Sequence, residues 1–261
     1  MFEVAGPTPL PRPPRNLPGH AVIRETADDA IDAAAADFLL QAHNCVRAFG
    51  DFHLAVAPQG LEHLLQRLMY DPALRELPWQ KTQLWLVEDT ALPPENPARA
   101  STLLSELVAM PADVPAHQIH VIPVENSDAA DLYERQIREH LGWREKGHDR
   151  LDCVLLGMPP AALAGVSPTA HDDESLVRTF VREGEPPITS MTHRLIRASR
   201  FVSVLAVGEQ CREAFARVSA GLASEHDDAR SFPCSKQKLL GGEMRWYMDI
   251  AACPPGPELT S

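Results

Sequence analysis

Short apolar runs alternate with helical patterns along most of this 261-residue chain, and this alternation limits the possible folds more than any other feature. The run Cys153-Val154-Leu155-Leu156-Gly157 is almost continuously apolar, which is typical of a strand buried on both faces. Elsewhere apolar residues recur at helical spacing, as from Ala27 to Leu39 behind the candidate N-cap Thr26. The sequence therefore predicts an α/β protein with a doubly wound, mostly parallel sheet and helices on both faces.

The same pattern predicts where the elements and the chemistry lie. In a doubly wound sheet, ligands bind beyond the carboxyl ends of the strands, so we expect the functional loops after Ala57, Val87, Gly157 and Val207. The predicted helices are 27–39, 61–68, 98–110, 128–141 and 211–222, and the predicted strands are 21–23, 52–57, 82–87, 120–123, 153–157, 201–207 and 246–252.

Proline marks the two ends of the chain. Six prolines between Pro7 and Pro18 favour an extended arm, because proline removes backbone donors and fixes the backbone angle φ. We expect a Pro-rich arm at residues 1–19, a single α/β domain at 20–253 and a tail at 254–261. The arm is either solvated, packed on the body or on a second subunit, or a ligand for a proline-binding module.

Charge and cysteine usage narrow the possible partners. The net charge of −12 repels nucleic acid and anionic lipid, so neither a nucleic-acid partner nor a membrane is expected, although a local basic pocket for a small anion remains possible. No apolar stretch of about 18 residues or secretory signal is present. Five separated cysteines suit reduced thiols, which predicts a cytoplasmic protein. His117 and His120 lack further ligands nearby, and no phosphate-loop motif occurs, so we expect neither a metal nor a cofactor.

Several blocks, in order, resemble the 6-phosphogluconolactonase family, which shares its fold with glucosamine-6-phosphate isomerase/deaminase. The resemblance covers about residues 21–252, and it implies hydrolysis of a sugar-phosphate lactone in the pentose phosphate pathway. The blocks that carry it are Trp79, Leu84 to Pro94, Val114 to Pro123, Leu151 to Met158, Ile188-Thr189, Leu205 to Gly208 and Trp246 to Asp249.

The resemblance also shows which residues are missing. In that family a histidine after an Asp-Gly pair acts as the general base on water, and such a base must accept a proton near neutral pH. Here Ala161, Ala162 and Leu163 occupy the three positions, and none of their side chains can accept a proton. Further replacements affect the phosphate-binding residues: Ala57-Pro58-Gln59-Gly60 for Ser-Gly-Gly-Ser, Glu88-Asp89-Thr90 for Asp-Glu-Arg, Cys211 for a lysine, and Arg99-Ala100 for a Ser-Asn pair.

One hypothesis from these replacements is an acidic pocket with Glu88 and Asp89 but no basic residue. Glu88 and Asp89 beside an unligated phosphate site would repel a phosphate dianion, and each like-charge contact would cost about 4 kcal/mol at about 4 Å and an effective dielectric of about 20. The pocket candidates are Gln59, Gly60, Glu88, Asp89, Gly157, Arg194 and Arg197.

Two histidines are weak candidates for a substitute base. His171 precedes Asp172-Asp173, which on the alternative interpretation caps a helix through Leu176, Val177 and Phe180. His193 follows Ile188-Thr189 and would border the pocket. Beyond it, Arg194, Arg197 and Arg200 form a basic stripe, which would either seat an anion or lie on a solvated helix face.

Three hypotheses follow for function. The first is a lactonase homologue that has lost catalysis and serves as a binding or regulatory protein, with a possible protein partner. The second is an active lactonase or sugar-phosphate enzyme with a rebuilt site, in which His171 or His193 is the base and Arg194 or Arg197 holds the phosphate. The third is a site for a neutral or cationic ligand, such as a small sugar or an amine.

Overall fold

The computed structural model describes residues 17–142, 144–145, 149–158, 174–181, 183–212, 215 and 241–253. The described helices are α1 (Ala27–Phe49), α2 (Glu62–Tyr70), α3 (Ala100–Leu104), α4 (Ala129–Leu141) and α5 (His193–Ala198). The described strands are β1 (His20–Arg24), β2 (Phe52–Val56), β3 (Thr82–Leu86), β4 (Glu88–Thr90), β5 (Ile119–His120), β6 (Cys153–Gly157), β7 (Val177–Phe180), β8 (Ile188–Met191), β9 (Phe201–Ala206) and β10 (Glu243–Asp249).

Seven of these strands form one parallel sheet, in the order β1-β10-β9-β6-β2-β3-β5. The central strands β2, β6 and β9 are buried along their whole length. This confirms the predicted fold class, and Trp85 and Trp246 are buried in the core of the sheet. Trp79 is half-buried, and Trp143 lies outside the described residues. The division into arm, domain and tail stays a prediction.

Helix α1 shows how local sequence sets an element. The Thr26 hydroxyl oxygen accepts a hydrogen bond from the backbone N–H of Asp29 at 3.1 Å, which confirms the predicted N-cap. The helix continues past the predicted Leu39 and ends at Gly50, whose φ of +89° is the left-handed conformation in which glycine avoids a steric cost.

Several predicted boundaries were wrong for identifiable reasons. Strand β5 stops at His120, before Pro123, which has no N–H for a sheet. Strand β10 begins at Glu243 and stops at Asp249, because the Asp249 carboxylate accepts from the Ala252 N–H at 2.9 Å and turns the chain. Helix α3 is shorter than predicted and continues as a π-helical turn over 105–109. Only the beginning of the predicted helix 211–222 lies in the described part of the chain.

A second, antiparallel sheet of the described residues was missed. Its order is β4-β8-β7, so Val177–Phe180 is a strand and the helix expected there is wrong. The residue spacing was compatible with a helix, but cross-strand contacts decide the structure: the hydroxyl groups of Thr179 and Thr189 lie 2.8 Å apart across the two strands. This small sheet joins β4, which follows β3 directly, to the segment that leads into α5.

Two histidines and a tryptophan form a buried cluster at the side of the parallel sheet where β3 pairs with β5. The ring of His120 stacks on Trp85 at 3.8 Å between centroids and meets His140 edge-on at 4.5 Å. The side chains of Gln83 and Gln136 occupy its two ring nitrogens. Burial, with smaller contributions from the neighbouring histidines, lowers the pKa of His120 to about 3, so this ring is neutral and part of the core.

The amino ends of the central strands are fixed by one buried carboxylate. Asp152 directly precedes β6, and its side chain accepts from the His53 N–H at 2.8 Å, from both terminal nitrogens of Arg144 at 2.9 Å, and from Arg200 Nε at 3.1 Å. The cation of Arg200 also lies over the Phe49 ring at 4.3 Å. This cluster connects β2, β6 and the residue before β9.

We predict that Asp152→Ala destabilises the protein by about 3–5 kcal/mol, because it leaves two largely buried arginines short of a counter-charge. The matched control is Asp32→Ala, which removes an exposed ion pair with Arg67 and should cost less than about 1 kcal/mol. Urea unfolding of the three proteins measures both values. Equal losses in the two variants would contradict the proposed role of Asp152.

Candidate functional site

The loop after β2 packs closely against the end of β6. Gly60 has a φ of +76°, and a Cβ atom on Gly157 would lie 2.6 Å from the carbonyl oxygen of Gln59 and 2.8 Å from the carbonyl carbon of Gly60. Only glycine fits at Gly157 without moving the backbone. The structure therefore brings together the predicted pocket residues Gln59, Gly60 and Gly157 at the carboxyl ends of adjacent strands.

Asp89 is fully enclosed and already paired. Its carboxylate accepts from the backbone N–H groups of Thr90 at 2.9 Å and Ala100 at 3.0 Å, and from Arg99 Nε at 3.3 Å. Arg99 is itself buried and also donates to the Glu125 carboxylate at 2.6 Å. The predicted acidic pocket without a basic residue is therefore wrong, since Arg99 compensates the charge of Asp89.

Sequence reasoning overlooked Arg99 because it stands where the resemblance implies a small polar residue. A signal was available: an aspartate in a buried strand end requires a cation or several N–H donors, and Arg99 is the nearest downstream basic residue. In the structure Asp89 and Glu125 hold the side chain of Arg99. Arg99 therefore does not substitute for the family's arginine, whose position Thr90 occupies.

Glu88 lies beside Asp89 but in a different environment. Its side chain is 6% exposed, and Ser190 is its partner across the antiparallel pair. The Ser190 hydroxyl contacts the carbonyl oxygens of Met191 at 3.1 Å and Val87 at 3.4 Å rather than the glutamate. Burial, reinforced by the Asp89 charge, raises the pKa of Glu88 to about 8, so this carboxyl is mostly protonated at neutral pH.

Near the carboxyl ends of β9 and β10, the uncharged Cys211 takes the position of the lysine that the family resemblance implies. Asp249 accepts from the Gly208 N–H at 3.0 and 3.1 Å, which holds the turn after β9. Cys211 follows in that turn and is completely buried. Burial and the nearby Asp249 carboxylate raise the pKa of the Cys211 thiol to about 12, so it stays neutral.

The candidate residues of α5 follow β8 directly. The Met191 N–H donates to the Val87 carbonyl at 2.8 Å, which places the start of α5 next to the segment that carries Glu88. His193 and Arg197 are half-buried and Arg194 is exposed. Arg200 lies beyond the helix and binds Asp152, so the predicted three-arginine stripe is wrong. His171 and the segment Ala161 to Leu163 lie outside the described residues.

Comparison with known proteins identifies the family. The sequence model described as "Glucosamine-6-phosphate isomerases/6-phosphogluconolactonase" matches residues 25–246. The chain belongs to this family. This confirms the resemblance drawn from the ordered blocks, and the matched range includes the loops after β2, β3 and β6.

Individual relatives agree with this assignment. The human "GDH/6PGL endoplasmic bifunctional protein" is 29% identical over 272 residues, which cover 95% of this chain and 33% of the relative. The chain thus spans about a third of that protein. The 6-phosphogluconolactonase of Haemophilus influenzae is 25% identical over 233 residues, with 87% and 95% coverage. In fold, the chain is similar to the 6-phosphogluconolactonase from Trypanosoma cruzi, with a TM-score of 0.72, 15% identity, and coverage of 95% and 99%.

The described residues also bear on whether the chain has a membrane span or a metal site. Within the described ranges, every helix is too short or too polar to span a bilayer. No three histidine, cysteine or acidic side chains of this part of the chain are grouped as metal ligands. The cytoplasmic location stays a prediction, since one similar protein is described as endoplasmic.

We predict that Glu88→Gln removes a pH dependence of stability. The pKa of Glu88 rises from 4.5 to about 8 on folding, so between these values the folded state holds the extra proton. The stabilising contribution of the protonated carboxyl is complete below the lower value and is lost as the pH rises through the upper one, by up to about 1.4 kcal/mol per pH unit. Relative to Glu88→Gln, the wild type should therefore lose stability as the pH rises.

Urea unfolding of both proteins at several values between about pH 5 and about pH 8 measures this difference. The matched control is Glu95→Gln, which changes an exposed glutamate in the loop after β4, the strand that contains Glu88. A difference between wild type and Glu88→Gln that is constant with pH would show that Glu88 ionises normally in the folded protein.

Proposed function

We propose that this chain is a 6-phosphogluconolactonase homologue of carbohydrate metabolism that does not hydrolyse 6-phosphogluconolactone and acts as a sugar-binding or regulatory protein. The observation that carries the proposal is the pairing of Asp89 with Arg99. In the segment after β3, Asp89 and Arg99 neutralise each other, and the residue that follows Asp89 is the uncharged Thr90. A phosphate dianion therefore meets no available cation from this loop.

Three further features support the loss of chemistry. Pro58 has no N–H, so the loop after β2 offers one backbone donor fewer to a phosphate. Cys211 is a neutral, buried thiol at the position of the family's lysine. In the sequence, Ala161 to Leu163 replace the residues that supply and orient the general base. The chain thus lacks the general base, a backbone donor to the phosphate and a lysine, and these losses together favour a binding role over an enzymatic one.

One observation favours a second candidate, an active enzyme with a rebuilt site. His193 is half-buried and begins α5, two residues after the backbone contact between Met191 and Val87. An imidazole at that point would lie near β4, the strand that contains Glu88, and histidine is the residue most often used as a general base. On this alternative, Arg194 or Arg197 would hold the phosphate.

We predict that the purified chain hydrolyses 6-phosphogluconolactone no faster than the buffer blank, because it lacks the family's base and phosphate ligands. The positive control is the Haemophilus influenzae relative under the same conditions. An excess rate would contradict the proposal. If that excess disappears in His193→Ala or in His171→Ala, while Arg75→Ala, a change of an exposed arginine, retains it, the rebuilt-site candidate is supported instead.

A further inference from the structure

Two buried side-chain oxygens at the carboxyl edge have no hydrogen-bond partner in the described part of the chain. They are Gln59 Oε1 and Glu88 Oε2. Most buried polar atoms in proteins are hydrogen-bonded, and leaving one unsatisfied costs about 1–3 kcal/mol. Two such atoms among the candidate pocket residues therefore require an explanation, and an absent ligand is one.

The two oxygens belong to neighbouring strand ends. Gln59 lies three residues after β2 and Glu88 two residues after β3, and these strands pair with Val56 opposite Leu86. The Val87 N–H donates to the Val56 carbonyl at 3.0 Å, so the pairing continues to the point where the chains diverge. The position is the one where parallel α/β sheets bind ligands.

The chemistry of the two oxygens specifies what they would bind. An amide oxygen accepts hydrogen bonds, and a protonated carboxyl both accepts and donates. A sugar hydroxyl matches both because it also donates and accepts. A phosphate dianion offers mainly acceptors, which leaves the Gln59 oxygen without a donor.

Charge points in the same direction. The charge of Asp89 is compensated by Arg99, and Arg99 is shared with Glu125. Glu88 itself is mostly uncharged at neutral pH, because burial raises its pKa to about 8. The acidic residues at these strand ends therefore exert no strong attraction on a cation, and an uncharged ligand avoids the cost of transferring a charge out of water.

We propose that the carboxyl edge around Gln59 and Glu88 binds an uncharged polyol, a sugar or sugar lactone without a phosphate group, whose hydroxyls donate to the two buried side-chain oxygens. This inference rests on the proposed sugar-binding function and narrows its ligand class.

Three probes with the same ring and different charges test the proposal: glucose, glucose 6-phosphate and glucosamine. Their affinities for the full chain are measured by calorimetry at neutral pH. Glucose should bind at least about tenfold more tightly than glucose 6-phosphate, and glucosamine should bind no more tightly than glucose. Tighter binding of the phosphate or of the amine, or no glucose binding up to about 100 mM, would overturn the proposal.

Paired variants connect the affinity to the two oxygens. Glu88→Gln keeps an acceptor and a donor and should retain glucose affinity within about threefold, whereas Glu88→Leu and Gln59→Leu should each reduce it by about tenfold. The control Glu95→Leu changes an exposed residue in the loop after β4 and should have no effect on glucose affinity. If Glu88→Leu does not fold, Gln59→Leu still decides. Equal glucose affinity in the wild type and Gln59→Leu would overturn the assignment.

The outcomes separate this inference from the proposed function. An excess rate of 6-phosphogluconolactone hydrolysis would contradict the loss of catalysis, whatever glucose does. A chain that shows no such rate and also fails to bind glucose would contradict the polyol inference alone.

Discussion

The carboxylate of Asp152 is the interaction on which the parallel sheet depends most. It is completely buried, and it accepts hydrogen bonds from the start of β2, from Arg144, and from Arg200 before β9. Three segments that are distant in sequence meet at this one charge. His53 lies in β2, Arg200 directly precedes β9 and Asp152 directly precedes β6, so the carboxylate ties together the amino ends of these three strands. Gln59, Gly60 and Gly157 of the candidate site lie at the opposite ends of two of them, β2 and β6.

The two edges of the sheet differ in electrostatic character. At the amino edge, charged groups are abundant, and Asp152 pairs with both Arg144 and Arg200. At the carboxyl edge, Asp89 is neutralised by Arg99, burial keeps Glu88 mostly protonated, and Cys211 is a neutral thiol. On the proposed function, this chain keeps the sheet and the loop positions of its family, whereas the charges that would hold a phosphate are compensated or replaced. The unsatisfied oxygens of Gln59 and Glu88 fit this neutral character.

The sequence predicted the parallel sheet well because long apolar runs such as 153–157 have one stable environment, the buried centre of a sheet. Gln59, Gly60 and Gly157 were proposed as pocket residues because ligands bind at the carboxyl ends of strands, and the structure brings these three residues together. The sequence did not predict β7, because the pairing of this strand depends on contacts with Thr189 of the neighbouring β8 that residue spacing alone does not show. Nor did it predict the Asp89–Arg99 ion pair or the state of Glu88, since the charge of a buried carboxyl depends on neighbours and burial that a linear pattern does not contain.

The most direct test of the account is the ionisation of Glu88 in the folded protein. Carbon-detected NMR of its side-chain carboxyl, assigned by comparison with Glu88→Gln, follows the chemical shift across the pH range. The account predicts a titration midpoint near pH 8. A midpoint near 4.5, the ordinary value for a glutamate, would mean that the carboxyl edge carries a full negative charge at neutral pH and would contradict the neutral site described above.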